Sequence, residues 1–286
     1  MIRRALVLGA GGAAASSWEL GMIAGLADAG IDVRNAGRLV GTSAGSRVAV
    51  QVASELPLED LFERLVDPDK SVKESAPKVD FRKLKEDYVR AKQGEGGDHG
   101  FLLRMGALAM SAPTMSESDR RNEIDAQLPM RSWPERELFI VAVDAQSGER
   151  RVFERAAGVE LNAAVAASGA APGMSPTIGI EGRRYMDGGV YSTDNADLTE
   201  GCQRVLILAL KSGVPKTCVV SLDEAVEKLR GGGAQVVVVH PDAATEEAFK
   251  AVGGNILDPA VRAGAARAGR GQGRSGAAAS VASLWQ

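Results

Sequence analysis

The stretch LVGTSAGSRVAVQVA, residues 39–53, decides how the chain is to be read. Leu39 and Val40 form the end of an apolar strand, and the small and apolar residues from Arg47 to Ala53 suit a buried helix. Between them Gly41-Thr42-Ser43-Ala44-Gly45 is G-x-S-x-G at a strand-to-helix junction. Its glycines let the backbone turn sharply and lift Ser43 above the sheet end, where the following helix offers its N-terminal amides and positive dipole end. By position as well as by letters this is a nucleophile elbow, although glycine-serine turns without chemistry are common.

Upstream, ALVLGAGGAAASS, residues 5–17, repeats the pattern of strand, glycine loop and helix. Gly9, Gly11 and Ala14 satisfy the dinucleotide fingerprint G-x-G-x-x-G/A, and Asp32 stands near the spacing of a ribose-binding acid. A nicotinamide or flavin oxidoreductase is therefore a rival reading. From Trp18 to Ala29, Leu20, Ile23, Ala24 and Ala27 recur at helical spacing before Gly30 ends the helix. Downstream, Leu138–Val143 and Arg151–Glu154 predict a hairpin around Gln146-Ser147-Gly148, Leu161–Ser168 a helix, and Arg184–Met186 a short strand. Val205–Leu210 and Gln235–Val239 suit interior strands, with a helix from Leu222 to Arg230 between them. Strands alternating with helices predict an α/β layered domain over residues 1–286.

Two regions break the alternation. Residues 68–134 are charged and carry Pro68, Pro77, Pro113 and Pro129, the break GEGGDHG and the Met-bearing run FLLRMGALAM. This reads as a helical insertion over the sheet, able to act as a lid, with the Met-bearing run favoured as plain core over an acyl pocket. The segment 259–286 is a helical tail rich in Ala, Gly and Arg. Arg267, Arg270 and Arg274 share one helix face there, favouring a solvated surface over an anionic membrane contact.

Composition narrows the function classes. A net charge of −3 and 4% aromatic residues give neither a basic footprint nor stacking platforms for nucleic acid. Cys202 and Cys218 form no close-spaced pair, and His99 and His240 are the only histidines, so zinc-type clusters and a disulfide framework are not expected. No apolar run approaches a membrane span. The start MIRRALVLGAGGAAASS imitates a secretory signal, but its GAGG core makes a poor apolar region; a cytoplasmic location is expected.

A serine nucleophile needs a base and donors for the oxyanion. The order Ser43, Asp187, His240 imitates an α/β-hydrolase triad, yet the elbow follows only one earlier strand and helix. The alternative base is Asp187 alone, at a strand end before Gly188-Gly189, where partial burial would raise its basicity. A turn aspartate is the plain alternative.

Taken in order, GAGG, WELGMIAGLADAGI, GTSAGS, AASGAAPGMSP and DGGV resemble the patatin-like phospholipases over residues 5 to about 210. The resemblance implies a three-layer α/β/α domain with a central, mostly parallel sheet. It also implies a Ser43–Asp187 dyad without histidine, and an oxyanion hole from Gly9, Ala10, Gly11 and Gly12. No metal or organic cofactor is implied. The partner would be a lipid or other acyl ester, met in transient contact with a membrane surface. Many family members carry a basic residue and then glycine where this chain has Ala14 and Ala15, so a catalytically impaired lipid-binding or regulatory protein is the alternative.

Overall fold

The computed structural model describes residues 3–72, 80–210 and 218–285. Within them the elements run β1 (Arg4–Leu8), α1 (Gly12–Asp28), β2 (Arg38–Thr42), α2 (Ala44–Ala53), α3 (Leu58–Val66), α4 (Phe81–Gln93), α5 (Gly97–Ser111), α6 (Glu117–Gln127), β3 (Glu137–Asp144) and β4 (Arg150–Phe153). They continue with α7 (Leu161–Ser168), β5 (Ile178–Ile180), β6 (Arg183–Asp187), β7 (Arg204–Leu208), α8 (Leu222–Gly231), β8 (Gln235–Val239), α9 (Ala243–Lys250), α10 (Arg262–Arg274) and α11 (Ala278–Trp285).

The strands form one sheet in the order β5-β6-β3-β2-β1-β7-β8, with β4 paired to β3. Pairings from β3 through β2, β1 and β7 to β8 are parallel; β4 and β6 run antiparallel to β3, and β5 antiparallel to β6. The central strands are apolar through their middle positions, with charged or polar residues at their ends, because both faces are covered. Leu6, Leu8, Leu39, Ile140 and Leu206 point to a layer that includes Trp18 and Met22 of α1, Val48 of α2, Val165 of α7 and Ala266 of α10. Ala5, Val7, Val40, Val205 and Ile207 point the other way, onto Ala225, Val226 and Leu229 of α8. This is the three-layer α/β/α architecture.

The insertion supplies α4, α5 and α6; Pro77 lies outside the described residues. One face of the Met-bearing run is core, with Phe101 and Met105 of α5 fully buried against Val143 and Met186, while Leu103 and Met110 on the same run are exposed. Gly106 lets α5 press onto the Ala145 carbonyl, where a Cβ would collide. Glu117 on α6 accepts the Gly179 amide at 3.0 Å and Arg184 Nη1 at 2.6 Å, tying α6 to the β5–β6 hairpin.

Four local expectations need correction. The first helix starts at Gly12 rather than Trp18, because the alanines after the glycine loop are strong helix formers buried in its first turn. Strand β5 was not foreseen; three residues, Ile-Gly-Ile, are too short to show alternation. The break GEGGDHG is shorter than expected, because Gly97, Asp98 and His99 already form the first turn of α5. The tail helix α10 is solvated on one side only. Gly21 and Gly25 of α1 face the Ala266 and Arg270 carbonyls, and Gly269 and Gly273 of α10 face those of Trp18 and Met22. A Cβ at any of the four would strike the opposite backbone, so the two helices cross in direct main-chain contact. The arginines do share a face, on which Arg267 and Arg274 are exposed and Arg270 is drawn onto protein. Arg270 bridges Asp28 and Glu59 over the Phe62 ring, and its hydrogen bonds hold the Asp28 carboxyl down to about 2.

Candidate active site

The parallel strands deliver two loops to the same end of the sheet: Gly9–Gly11 after β1 and Ser43 after β2. Parallel order alone achieves this, because both loops follow the C-terminal ends of neighbouring strands. Strand β6 runs back along β3 and sets Asp187 opposite Ala142, near that same end.

Ser43 has φ 54 and ψ −120, a left-handed conformation that non-glycine residues rarely hold. Its neighbours make the turn possible. A Cβ on Gly45 would strike the Leu8 carbonyl, and one on Gly41 would lie 2.6 Å from Ser46 Cα. The Ser43 amide donates to Ser168 Oγ at 2.9 Å, and Ser46 Oγ donates to the Ser43 carbonyl at 2.6 Å. With its backbone so fixed, Ser43 Oγ donates to Asp187 Oδ2 at 2.6 Å.

The Asp187 carboxylate is 5% exposed. Its Oδ1 accepts the Gly189 amide at 2.7 Å, and Gly188 passes the Val141 carbonyl too closely for any side chain. Burial pushes its pKa up to about 6, against the pull of the Ser43 and Gly189 hydrogen bonds and of Arg120. The structure thus brings Ser43 and Asp187 together with the carboxylate less acidic than in water.

The glycine loop divides into two halves. The Gly9 amide donates to Glu19 Oε1 at 2.7 Å, and the Ala10 amide to the Thr193 carbonyl at 2.8 Å. Those two donors are therefore committed within the protein. The amides of Gly11, Gly12 and Ala13, at the start of α1, have no hydrogen-bond partner among the described residues; Ala14 donates to the Ile256 carbonyl at 2.9 Å. Positive φ at Gly11 and Gly12 turns the chain into the helix. Ala14 and Ala15 are buried in α1, so their small size belongs to packing; neither lines the cleft.

A cavity of about 420 Å³ lies above Ser43 and Asp187. Gly11, Gly12 and Ala44 form its polar floor, while Met115, Ile124, Val165, Leu210, Ile256 and Leu257 make apolar walls, with Arg47, Arg120 and Asp194 also lining it. His240 is not among its lining residues; its Nδ1 lies 2.8 Å from the Ala209 carbonyl. Asp32 precedes β2, whereas the glycine loop follows β1, so the parallel pairing sets them at opposite ends of the sheet. That geometry opposes the dinucleotide reading. Among the described residues no group of His, Cys, Asp and Glu is arranged to hold a metal ion, and no helix is long and apolar enough to cross a membrane.

Sequence reasoning missed Glu19, Ser168 and Asp194. A glutamate inside the apolar stretch from Trp18 to Leu26 was a legible anomaly for Glu19; Ser168 lies within AASGAAPGMSP with nothing there to indicate its bond to Ser43, and Asp194 carries no local signal.

The family model described as patatin-like phospholipase matches residues 6–199, which contain both loops and Asp187. The chain belongs to this family. Among solved structures, this patatin-like chain is similar to VipD from Legionella pneumophila at 14% identity and TM-score 0.46, covering 95% of this chain and 66% of that one. It is also similar to ExoU, in complex with SpcU, from Pseudomonas aeruginosa at 17% identity and TM-score 0.37, covering 90% of this chain and 52% of that one. The chain thus spans less than two thirds of the length of either. No curated protein gives a significant match.

Proposed function

We propose that this patatin-like protein is a serine acyl-ester hydrolase using Ser43 and Asp187 on a lipid or related acyl ester. The observation that carries the reading is the 2.6 Å hydrogen bond from Ser43 Oγ to Asp187 Oδ2 at a strained elbow. Asp187 accepts the hydroxyl proton as Oγ attacks the ester carbonyl, giving a tetrahedral oxyanion. Gly11 and Gly12 offer amides that are unpaired among the described residues for that oxyanion, with Ala44 at the start of α2 beside them; the committed Gly9 and Ala10 amides hold the loop in place. The protonated Asp187 passes its proton to the leaving alcohol, and an acyl-Ser43 ester remains. Water, deprotonated by Asp187, then releases the carboxylic acid and restores the serine. Apolar walls suit the acyl chain, and none of these steps calls on a metal or organic cofactor.

The test is hydrolysis of a short-chain p-nitrophenyl ester. Ser43→Ala and Asp187→Ala should each lower kcat at least ~10³-fold, whereas His240→Ala should retain it. Substantial turnover by the Asp187 variant would overturn the dyad. Lipid binding without labelling of Ser43 by a fluorophosphonate would favour the non-catalytic alternative.

A further inference from the structure

Gly9 is gripped from several sides. Its amide donates to Glu19 Oε1 at 2.7 Å and, in a longer second hydrogen bond of 3.2 Å, to the Leu208 carbonyl, and its own carbonyl accepts the Gly45 amide at 3.1 Å. A Cβ on Gly9 would lie 2.5 Å from Asp194 Oδ1. Glu19 is 1% exposed, and its second oxygen, Oε2, has no hydrogen-bond partner among the described residues. A glutamate buried this deeply normally meets a cation. Around Glu19 the charged groups are Asp194, from the loop after β6, and more weakly Arg47 of α2.

We propose that Glu19 is a positioning residue for the oxyanion loop: its carboxyl holds the Gly9 amide and so fixes Gly11 and Gly12 relative to Ser43. The proposal rests on the esterase reading of Ser43 and Asp187. Gly9 is the joint through which the glycine loop meets the elbow, because Gly45, two residues after Ser43, is bonded to it. Displacing such a joint by ~1 Å changes rates by about 10²-fold even when no reacting group is touched. The protonation state matters as well. A carboxylate this near the site of a developing oxyanion would oppose it, whereas a neutral carboxylic acid accepts the amide through its carbonyl oxygen without adding charge. Burial pushes the Glu19 carboxyl well above the usual range, as the neutral form requires.

Two variants test this. Glu19→Gln keeps an uncharged acceptor of the same shape, and Glu19→Met fills similar volume with no oxygen. With folding verified by melting curves, Glu19→Gln should keep kcat within about threefold and leave its pH profile unchanged, while Glu19→Met should lose about 100-fold in kcat with KM within about threefold. Hydrogen exchange at the Gly9 amide should be about tenfold faster in Glu19→Met and unchanged in Glu19→Gln. Wild-type kcat in Glu19→Met, a loss matching only its unfolded fraction, or equal damage in Glu19→Gln would overturn the proposal. If the wild-type protein neither turns over the ester nor reacts with a fluorophosphonate, the esterase reading has failed. The hold on Gly9 is then judged by exchange alone: acceleration only in Glu19→Met upholds it, and an unchanged rate overturns it.

Discussion

Asp187 carries two opposed demands, and both are measurable. Burial that lifts its pKa to about 6 makes it a better proton acceptor, but as the base of the proposed dyad it must be ionised to act, so kcat/KM should rise with pH through about 6 and level above it. The same shift sets a stability effect of opposite sign. A carboxyl with a raised folded pKa binds its proton more tightly in the folded chain, so stability is fully present below the unfolded value near 3.8 and is lost as pH rises through about 6. Asp187→Asn removes that penalty, on the order of 2–3 kcal/mol before any loss in its hydrogen bonds. The variant should therefore be inactive yet melt higher than wild type at pH 7.5, with the gap closing toward pH 4; an equal gap at both pH values would refute this. Ser43 was legible because glycines flank it in a fixed pattern. Glu19 stood out only as a charge inside an apolar stretch, and Asp194 not at all, because what defines them is a shared contact with Gly9 that Asp194 reaches from a segment far along the chain.

At the scale of elements, the crossing of α1 and α10 is the contact most sensitive to a single side chain. Gly269 sits on the Trp18 carbonyl with no room for a Cβ, so Gly269→Leu should force the helices apart. Overpacking of this kind costs about 1–3 kcal/mol, readable as a lower urea midpoint, while Gly271→Ala, in open space on the same helix, should not destabilise. The charge pattern of α10 pointed to solvent because arginines at helical spacing look alike whether they meet water or Asp28 and Glu59. The small residues between them were the better signal, since only glycine permits two helix backbones to touch. The Met-bearing run illustrates the converse: the core reading favoured for it holds at Phe101 and Met105, but nothing in the run could show that α6 is anchored through Glu117.

For the molecule as a whole, layer order was readable from apolar strand runs alternating with helices, and the family from motifs in sequence order. What no local pattern encodes is which exposed side chains surround the cleft mouth. Among the described residues four large apolar side chains are exposed, and two of them, Met115 at 36% and Ile256 at 37%, also line the cleft. If that rim meets a lipid surface, Met115→Glu combined with Ile256→Glu should lower hydrolysis of vesicle-borne esters about tenfold or more and leave a soluble p-nitrophenyl ester almost untouched. Equal loss on both substrates would point to damage within the cleft instead. The close meeting of α1 with α10 also bears on biosynthesis. Strand β1 is hydrogen-bonded to residues 204–208 and α1 is covered by residues 262–274, so a chain emerging from the ribosome carries its glycine loop and elbow long before it has the walls that hold them. A nascent chain must therefore keep the apolar face of α1 from sticking to neighbours until residues 262–274 have been made.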